Sequence, residues 1–139
     1  MPELTMVPAG ELETAMGIEV LEATPQRVVG SIPVAGNTQP FGVLHGGASC
    51  VLAETLASVG ACLHFGQYDR IAVGAEINAT HHAPARGGRV TGVATAVHLG
   101  RRLASYEIVL TDENGRRICT ARMTAASVAT SRGSTKEER

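Results

Sequence analysis

Tryptophan is absent from this chain of 139 residues, and aromatic residues make up only 3% of it. The core must therefore be built from Val, Ala, Leu and Ile, within a hydrophobic fraction of 44%. An excess of one charge sign is missing too. The net charge is -1, so no basic field exists to hold a nucleic-acid backbone. Cysteine pairing signals are missing as well. Cys50, Cys62 and Cys119 are an odd number without CxxC spacing, which reads as reduced thiols rather than a disulfide framework or a zinc site. The start, Met1-Pro2-Glu3-Leu4, lacks a basic region followed by an apolar one, so no signal peptide is expected and a cytoplasmic location is. No repeat and no second domain are visible. Residues 1–130 read as one domain. Residues 131–139, Ser-Arg-Gly-Ser-Thr-Lys-Glu-Glu-Arg, carry no apolar side chain and are expected to form a disordered polar tail.

What the chain does have is one long apolar run, GGASCVLAETLASVGACLHF, from Gly46 to Phe65. Glu54 is its only formally charged side chain. The run is about as long as a membrane span. Its Ala/Gly/Ser-rich composition and central carboxylate instead predict a tightly packed helix of a soluble protein. A lone carboxylate on a core-like helix is costly to desolvate. Either something compensates Glu54, or its altered basicity is the point.

Around this run the pattern predicts a short helix over 8–16, entered through Pro8 and stopped by Gly17. Strands follow over 18–23 and 27–34, with Val28, Ile32 and Val34 on one face and Pro33 suggesting an edge position. A turn-rich loop spans 35–44, and the long helix is closed by Gly66. Residues 70–82, 89–99, 102–111 and 117–128 read as four further strands. Asp112-Glu113-Asn114-Gly115 carries the Asn-Gly hairpin signal between the last two. This order predicts an α+β fold: an antiparallel sheet of five to six strands wrapped around one long central helix.

Candidate chemistry gathers at the helix start. The amides of Gly46 and Gly47 lack intrahelical partners and stand at the positive end of the dipole, where a carbonyl gaining negative charge can be held. A glycine pair also serves a tight turn alone. Ser58 follows Glu54 at i+4, so a water could be held between them with Glu54 as general base or nucleophile. A hydrogen bond of structural value only is the alternative. Cys50 lies one turn into the helix, where the dipole can lower a thiol pKa, but a buried filler fits it better. His81-His82 invites a metal reading, but adjacent strand residues point to opposite faces and no third ligand has suitable spacing, so no metal site is expected.

The segment Asn37-Thr38-Gln39-Pro40-Phe41-Gly42-Val43-Leu44-His45-Gly46-Gly47-Ala48-Ser49, followed by Leu52-Ala53-Glu54-Thr55-Leu56, resembles the hotdog-fold acyl-CoA thioesterases. Gly74 to His82 and His98-Leu99-Gly100-Arg101 match as well, and the likeness runs from Pro8 to Ala129. It is nearest the branch of the enterobactin-pathway proofreading thioesterase and the 1,4-dihydroxy-2-naphthoyl-CoA thioesterase. Glu54, where phenylacetate-type members commonly carry Asp, favours an aryl-CoA substrate.

The resemblance implies a homodimer, and usually a homotetramer, with active sites shared between subunits. In that picture Gln39, His45 and Gly46 come from one chain and Glu54 from the other. The Gly46 amide polarises the thioester carbonyl, and Ser58 helps place the water or carboxylate. Gly47, His81 and His82 belong to the substrate side, with His81 on the pantetheine channel, and Arg101 and Arg102 are candidates for the coenzyme A phosphates. The loop from His64 to Ile71 is expected to shape the acyl pocket. No cofactor is implied. The competing readings are a non-catalytic acyl-CoA-binding module, a thioesterase acting on acyl carrier protein, and a dehydratase or hydratase of the same fold.

Overall fold

The computed structural model describes residues 7–130, so the tail expected over 131–139 lies outside the described residues. Helix α1 (Glu11–Met16) is closed by Gly17, whose φ of 75° is a left-handed conformation suited to glycine. It starts after Gly10 rather than at Pro8. Strands β1 (Glu19–Ala23) and β2 (Arg27–Pro33) precede the long helix α2 (Gly46–Gly66). Strands β3 (Arg70–His81), β4 (Arg89–Leu99), β5 (Leu103–Thr111) and β6 (Arg117–Ala129) complete one six-stranded sheet in the order β1-β2-β4-β5-β6-β3. Every pairing is antiparallel. Helix α2 touches all six strands, so the sheet wraps it as the apolar run requires. By length and composition it could cross a membrane, but most of it is buried inside this fold.

The alternation in the strands supplies the wrapping face. Ala104, Tyr106, Ile108 and Leu110 of β5 are fully buried, as are Val28 and Ile32 of β2. Gly30 and Gly92 stand opposite each other on β2 and β4. A Cβ at either would come within 2.5 Å or 2.8 Å of a methyl of Leu56. The two glycines therefore form a socket for Leu56, whose full burial stabilises the fold by about 2 kcal/mol. Between β5 and β6, Gly115 adopts φ 79° and Asp112 Oδ1 accepts the amides of Asn114 and Arg116, both at 2.9 Å. The Arg116 amide, first among several contacts, holds the Asp112 carboxyl below its usual range.

Pro33 does not mark an edge strand. β2 lies inside the sheet, between β1 and β4. The β1 partners stop at Ser31, so no neighbour on that side needs the missing Pro33 N–H.

The two edges differ. β1 is only five residues long and is interrupted by an irregularity between Val20 and Glu22, which discourages further pairing. β3 runs for twelve residues and leaves Ile71 and Val73 nearly half exposed. A long edge with apolar side chains is a template for another strand.

Candidate active site

The α2 N-terminus is shaped by the loop before it. The Asn37 side-chain amide donates to the Met16 and Pro33 carbonyls, at 2.8 and 2.9 Å, and the Asn37 backbone carbonyl accepts the His45 amide. His45 caps the helix: its Nδ1 accepts the Gly47 amide at 2.8 Å, which places the proton of the neutral ring on Nε2. The Ala48 and Ser49 amides go to the His45 carbonyl. Among the described residues this leaves the Gly46 amide as the first-turn donor without an acceptor. No acidic side chain occupies that turn to compete for it. The imidazole of His81 covers Gly46 so closely that a Cβ there would lie 3.0 Å from its Nε2.

Gln39, Gly46, Ser49, His81 and His82 line one cavity of 380 Å³. The Gln39 Oε1 accepts the Phe41 amide, which leaves its NH₂ as the remaining donor. His82 engages Thr120 Oγ1 through Nε2 at 2.9 Å, while His81 faces the helix start, so the two rings serve different surroundings. Among the described residues no group of three His, Cys, Asp or Glu side chains could hold a metal ion.

Glu54 and Ser58 lie elsewhere. They line a second cavity of 660 Å³ together with Val51, Thr55, Val59 and residues of α1. The expectation that Glu54 pays a desolvation cost within its own chain is corrected: its side chain is exposed. The physical reason is its place at the margin of the sheet, above Gly74 of the outermost strand β3, where a Cβ would meet Oε1 at 2.6 Å. The three ion pairs among the described residues join Arg27 to Glu22, Arg89 to Glu19 and Arg116 to Asp112, and none involves Glu54.

Gly46 and Glu54 are thus eight residues apart on one straight element, which separates them by about 12 Å along the axis. They cannot both reach one carbonyl within one chain. Arg101 and Arg102 are further removed. Their exposed turn adjoins the other end of α2, where His64 Nε2 bonds the Gly100 carbonyl at 2.6 Å.

The cysteines are unpaired, as their spacing predicts. Burial, with Glu54 adding to it, raises the Cys50 pKa, opposite to the lowering that a helix start can give. Burial, then Cys50, pushes Cys119 up to about 11. Residues missed by the sequence reasoning include Ser49, only 3% exposed in the first cavity, and Glu13, whose carboxylate accepts from Thr55 Oγ1 at 3.5 Å beside the second. No sequence signal marks either: Ser49 stands in His-Gly-Gly-Ala-Ser rather than in a Gly-x-Ser-x-Gly elbow, and nothing local ties Glu13 of α1 to α2.

Comparison with known proteins places these features in a family. The family described as the thioesterase superfamily matches residues 41–119, a span containing both Gly46 and Glu54. A thioesterase from Pseudomonas aeruginosa, solved as a glutamine-to-alanine mutant, is 40% identical with a TM-score of 0.81, covering 86% of each chain. A thioesterase from Haemophilus influenzae is 34% identical with a TM-score of 0.83, covering 91% of this chain and 88% of that one. The PaaI protein of the E. coli phenylacetic acid degradation operon, at 19% identity and a TM-score of 0.80 over 91% and 90% of the two chains, shares the fold.

Proposed function

This chain belongs to the thioesterase superfamily and has its hotdog fold, and from that premise we propose that it hydrolyses acyl-CoA thioesters to a free acid and coenzyme A. The observation that carries the proposal is the division of the machinery. A helix-start amide at Gly46 without an acceptor among the described residues faces one cavity, and an exposed Glu54 without an ion pair among them faces another. Carbonyl polarisation and attack must act on the same carbon, so both groups have to converge within hydrogen-bonding reach. A second copy of the chain supplies the convergence. Pairing through the long β3 edges brings the Gly46 end of one α2 to the Glu54 of the other, forming a homodimer with two shared sites. Two such dimers make the expected tetramer.

In this reading the Gly46 amide donates to the thioester oxygen, and Gln39 and His45 hold that end of the site. Glu54 of the opposite subunit either takes a proton from a water as its oxygen adds to the carbonyl carbon, or adds to that carbon itself. In the first route the tetrahedral intermediate collapses with cleavage of the C–S bond, and the departing thiolate takes up the proton. In the second, thiolate leaves first and the mixed anhydride is then hydrolysed. Ser58, one turn from Glu54, orients the water or the carboxylate. Gly47, His81 and His82 frame the substrate entrance, and Arg101 and Arg102 bind coenzyme A phosphates. The odd number of cysteines without CxxC spacing, which reads as reduced thiols, is what supports a cytoplasmic location. The Glu54 resemblance points to an aromatic acyl group, the shape of the cavity beside Glu54 points away from one, and benzoyl-CoA is the substrate that decides between them.

Release of thiol from a panel of acyl-CoAs, against the same acyl groups on carrier protein, tests the proposal. Turnover of the CoA thioesters is expected; turnover confined to the carrier-bound ones would reassign the thiol carrier, and tight binding without turnover would make this a binding module. Gly46→Pro gives a sharper check. Proline is tolerated as the first helical residue yet lacks the N–H; its Cβ also presses on His81, an effect that Gly46→Ala reproduces with the N–H kept and so controls for. We expect kcat to fall about a hundredfold or more, with the helix content in circular dichroism unchanged.

A further inference from the structure

The cavity beside Glu54 does not stop at Ser58. A second compartment of 690 Å³ adjoins it, and Cys62, Val7 and Pro8 line both. Together they make one groove along α2, from Glu54 to Gly66, a span of about 18 Å. Its floor is a stripe at helical spacing: Val51, Val59, Cys62 and Leu63. Leu12 and Ile18 close it from the side of α1 and β1. This is why the helix is apolar on a flank the sheet leaves uncovered.

Among the described residues, polar groups are confined to the two ends. Glu13, Thr55 and Ser58 stand beside Glu54, and Gln67, Asp69 and Arg70 stand at the far end. No Phe or Tyr lines either compartment, so an aromatic ring would find no stacking partner there. A single ring would also leave most of the length unfilled. We infer that this groove is the acyl subsite and that it takes a straight, flexible aliphatic chain rather than an aromatic group. The inference rests on the assignment of Glu54 as the attacking or proton-accepting group, because that fixes the end at which the thioester lies. Each methylene laid on the stripe removes apolar surface from water on both sides, so affinity grows with chain length.

The test measures kcat/KM for straight-chain acyl-CoAs from acetyl to palmitoyl, with benzoyl-CoA alongside. A rise of about tenfold or more from butanoyl to dodecanoyl is expected. Two variants address the groove. Cys62→Phe narrows the junction of the compartments, and Leu12→Asp puts a charge on the wall at a residue exposed enough to spare the fold. Both are expected to flatten the rise with chain length, so that the ratio of the dodecanoyl to the butanoyl rate falls toward one. A flat or falling profile, a preference for benzoyl-CoA, or variants that depress all substrates equally would overturn the inference and leave the thioesterase reading in place. Should no thioester turn over, the Glu54 assignment fails, and binding of a fluorescent straight-chain fatty acid decides about the groove. Binding that both variants weaken would sustain the groove; absence of binding would refute it.

Discussion

Replacing Glu54 by Ala or Gln is expected to lower kcat about a thousandfold while the fold stays intact. Two observations set the size and the selectivity of this effect. The carboxylate is exposed and takes part in none of the ion pairs among the described residues, so its removal strands no partner there. Surface substitutions of this kind change stability by about 0.5 kcal/mol or less. Catalysis, in contrast, loses the only carboxylate on α2. Glu54→Gln matters most, because it keeps the shape and removes only the charge and basicity. Thermal melting and thiol release measured on the same preparations separate the two quantities. Near-wild-type turnover in both variants would remove Glu54 from the mechanism.

Gly60→Ala is expected to destabilise the protein by about 3 kcal/mol, although alanine is the better helix former by about 1 kcal/mol. The steric effect wins because of Tyr106. A Cβ at Gly60 would lie 2.6 Å from the Tyr106 hydroxyl oxygen and 2.8 and 2.9 Å from two ring carbons. The ring cannot retreat: it is fully buried, and its hydroxyl donates to the Pro25 carbonyl. Burial also pushes the tyrosine pKa well up, so the hydroxyl keeps its proton and the bond. Gly66→Ala is the matched control. It is also helical, with nothing within 4 Å of its added Cβ, and there propensity alone should raise stability by about 0.5 to 1 kcal/mol. Calorimetric melting of both variants gives opposite signs if Tyr106 decides the matter. Equal shifts in the same direction would show that it does not.

Much of this fold was legible in local pattern. The helix was expected over about residues 46 to 65 and spans Gly46–Gly66, because its apolar run and its glycine boundaries are local signals. The strands fell within one or two residues of their positions, and Asn114-Gly115 gave the last hairpin. Strand order was not legible. The return of β3 to the outside of β6 depends on how α2 crosses the sheet, which no short window encodes. The exposure of Glu54 was hidden for a related reason. Ala, Gly, Ser and Val occupy every side of α2, so the sequence does not distinguish the flank against the sheet from the flank along the groove.

The candidate site was legible as a set of residues but not as a geometry. Gln39, Gly46, His81 and His82 do share one cavity. Glu54 and Ser58 share another, and Arg101 and Arg102 lie in neither. A sequence places Gly46 and Glu54 on one helix, and only the rise per residue shows that they are too far apart to act together within it. Under the proposed mechanism, that separation gives a second copy of the chain a chemical role that resemblance alone does not supply.

Mixing two inactive variants tests this requirement most directly. Glu54→Ala retains a sound Gly46 amide, and Gly46→Pro retains a sound Glu54. If each site takes one group from each subunit, a mixed dimer holds one intact site and one doubly damaged site. Random reassociation of equal amounts makes about half the dimers mixed, so about a quarter of wild-type activity should return. Activity that stays at the level of the separate variants, in a sample whose subunits have demonstrably exchanged, would contradict a site shared between two chains.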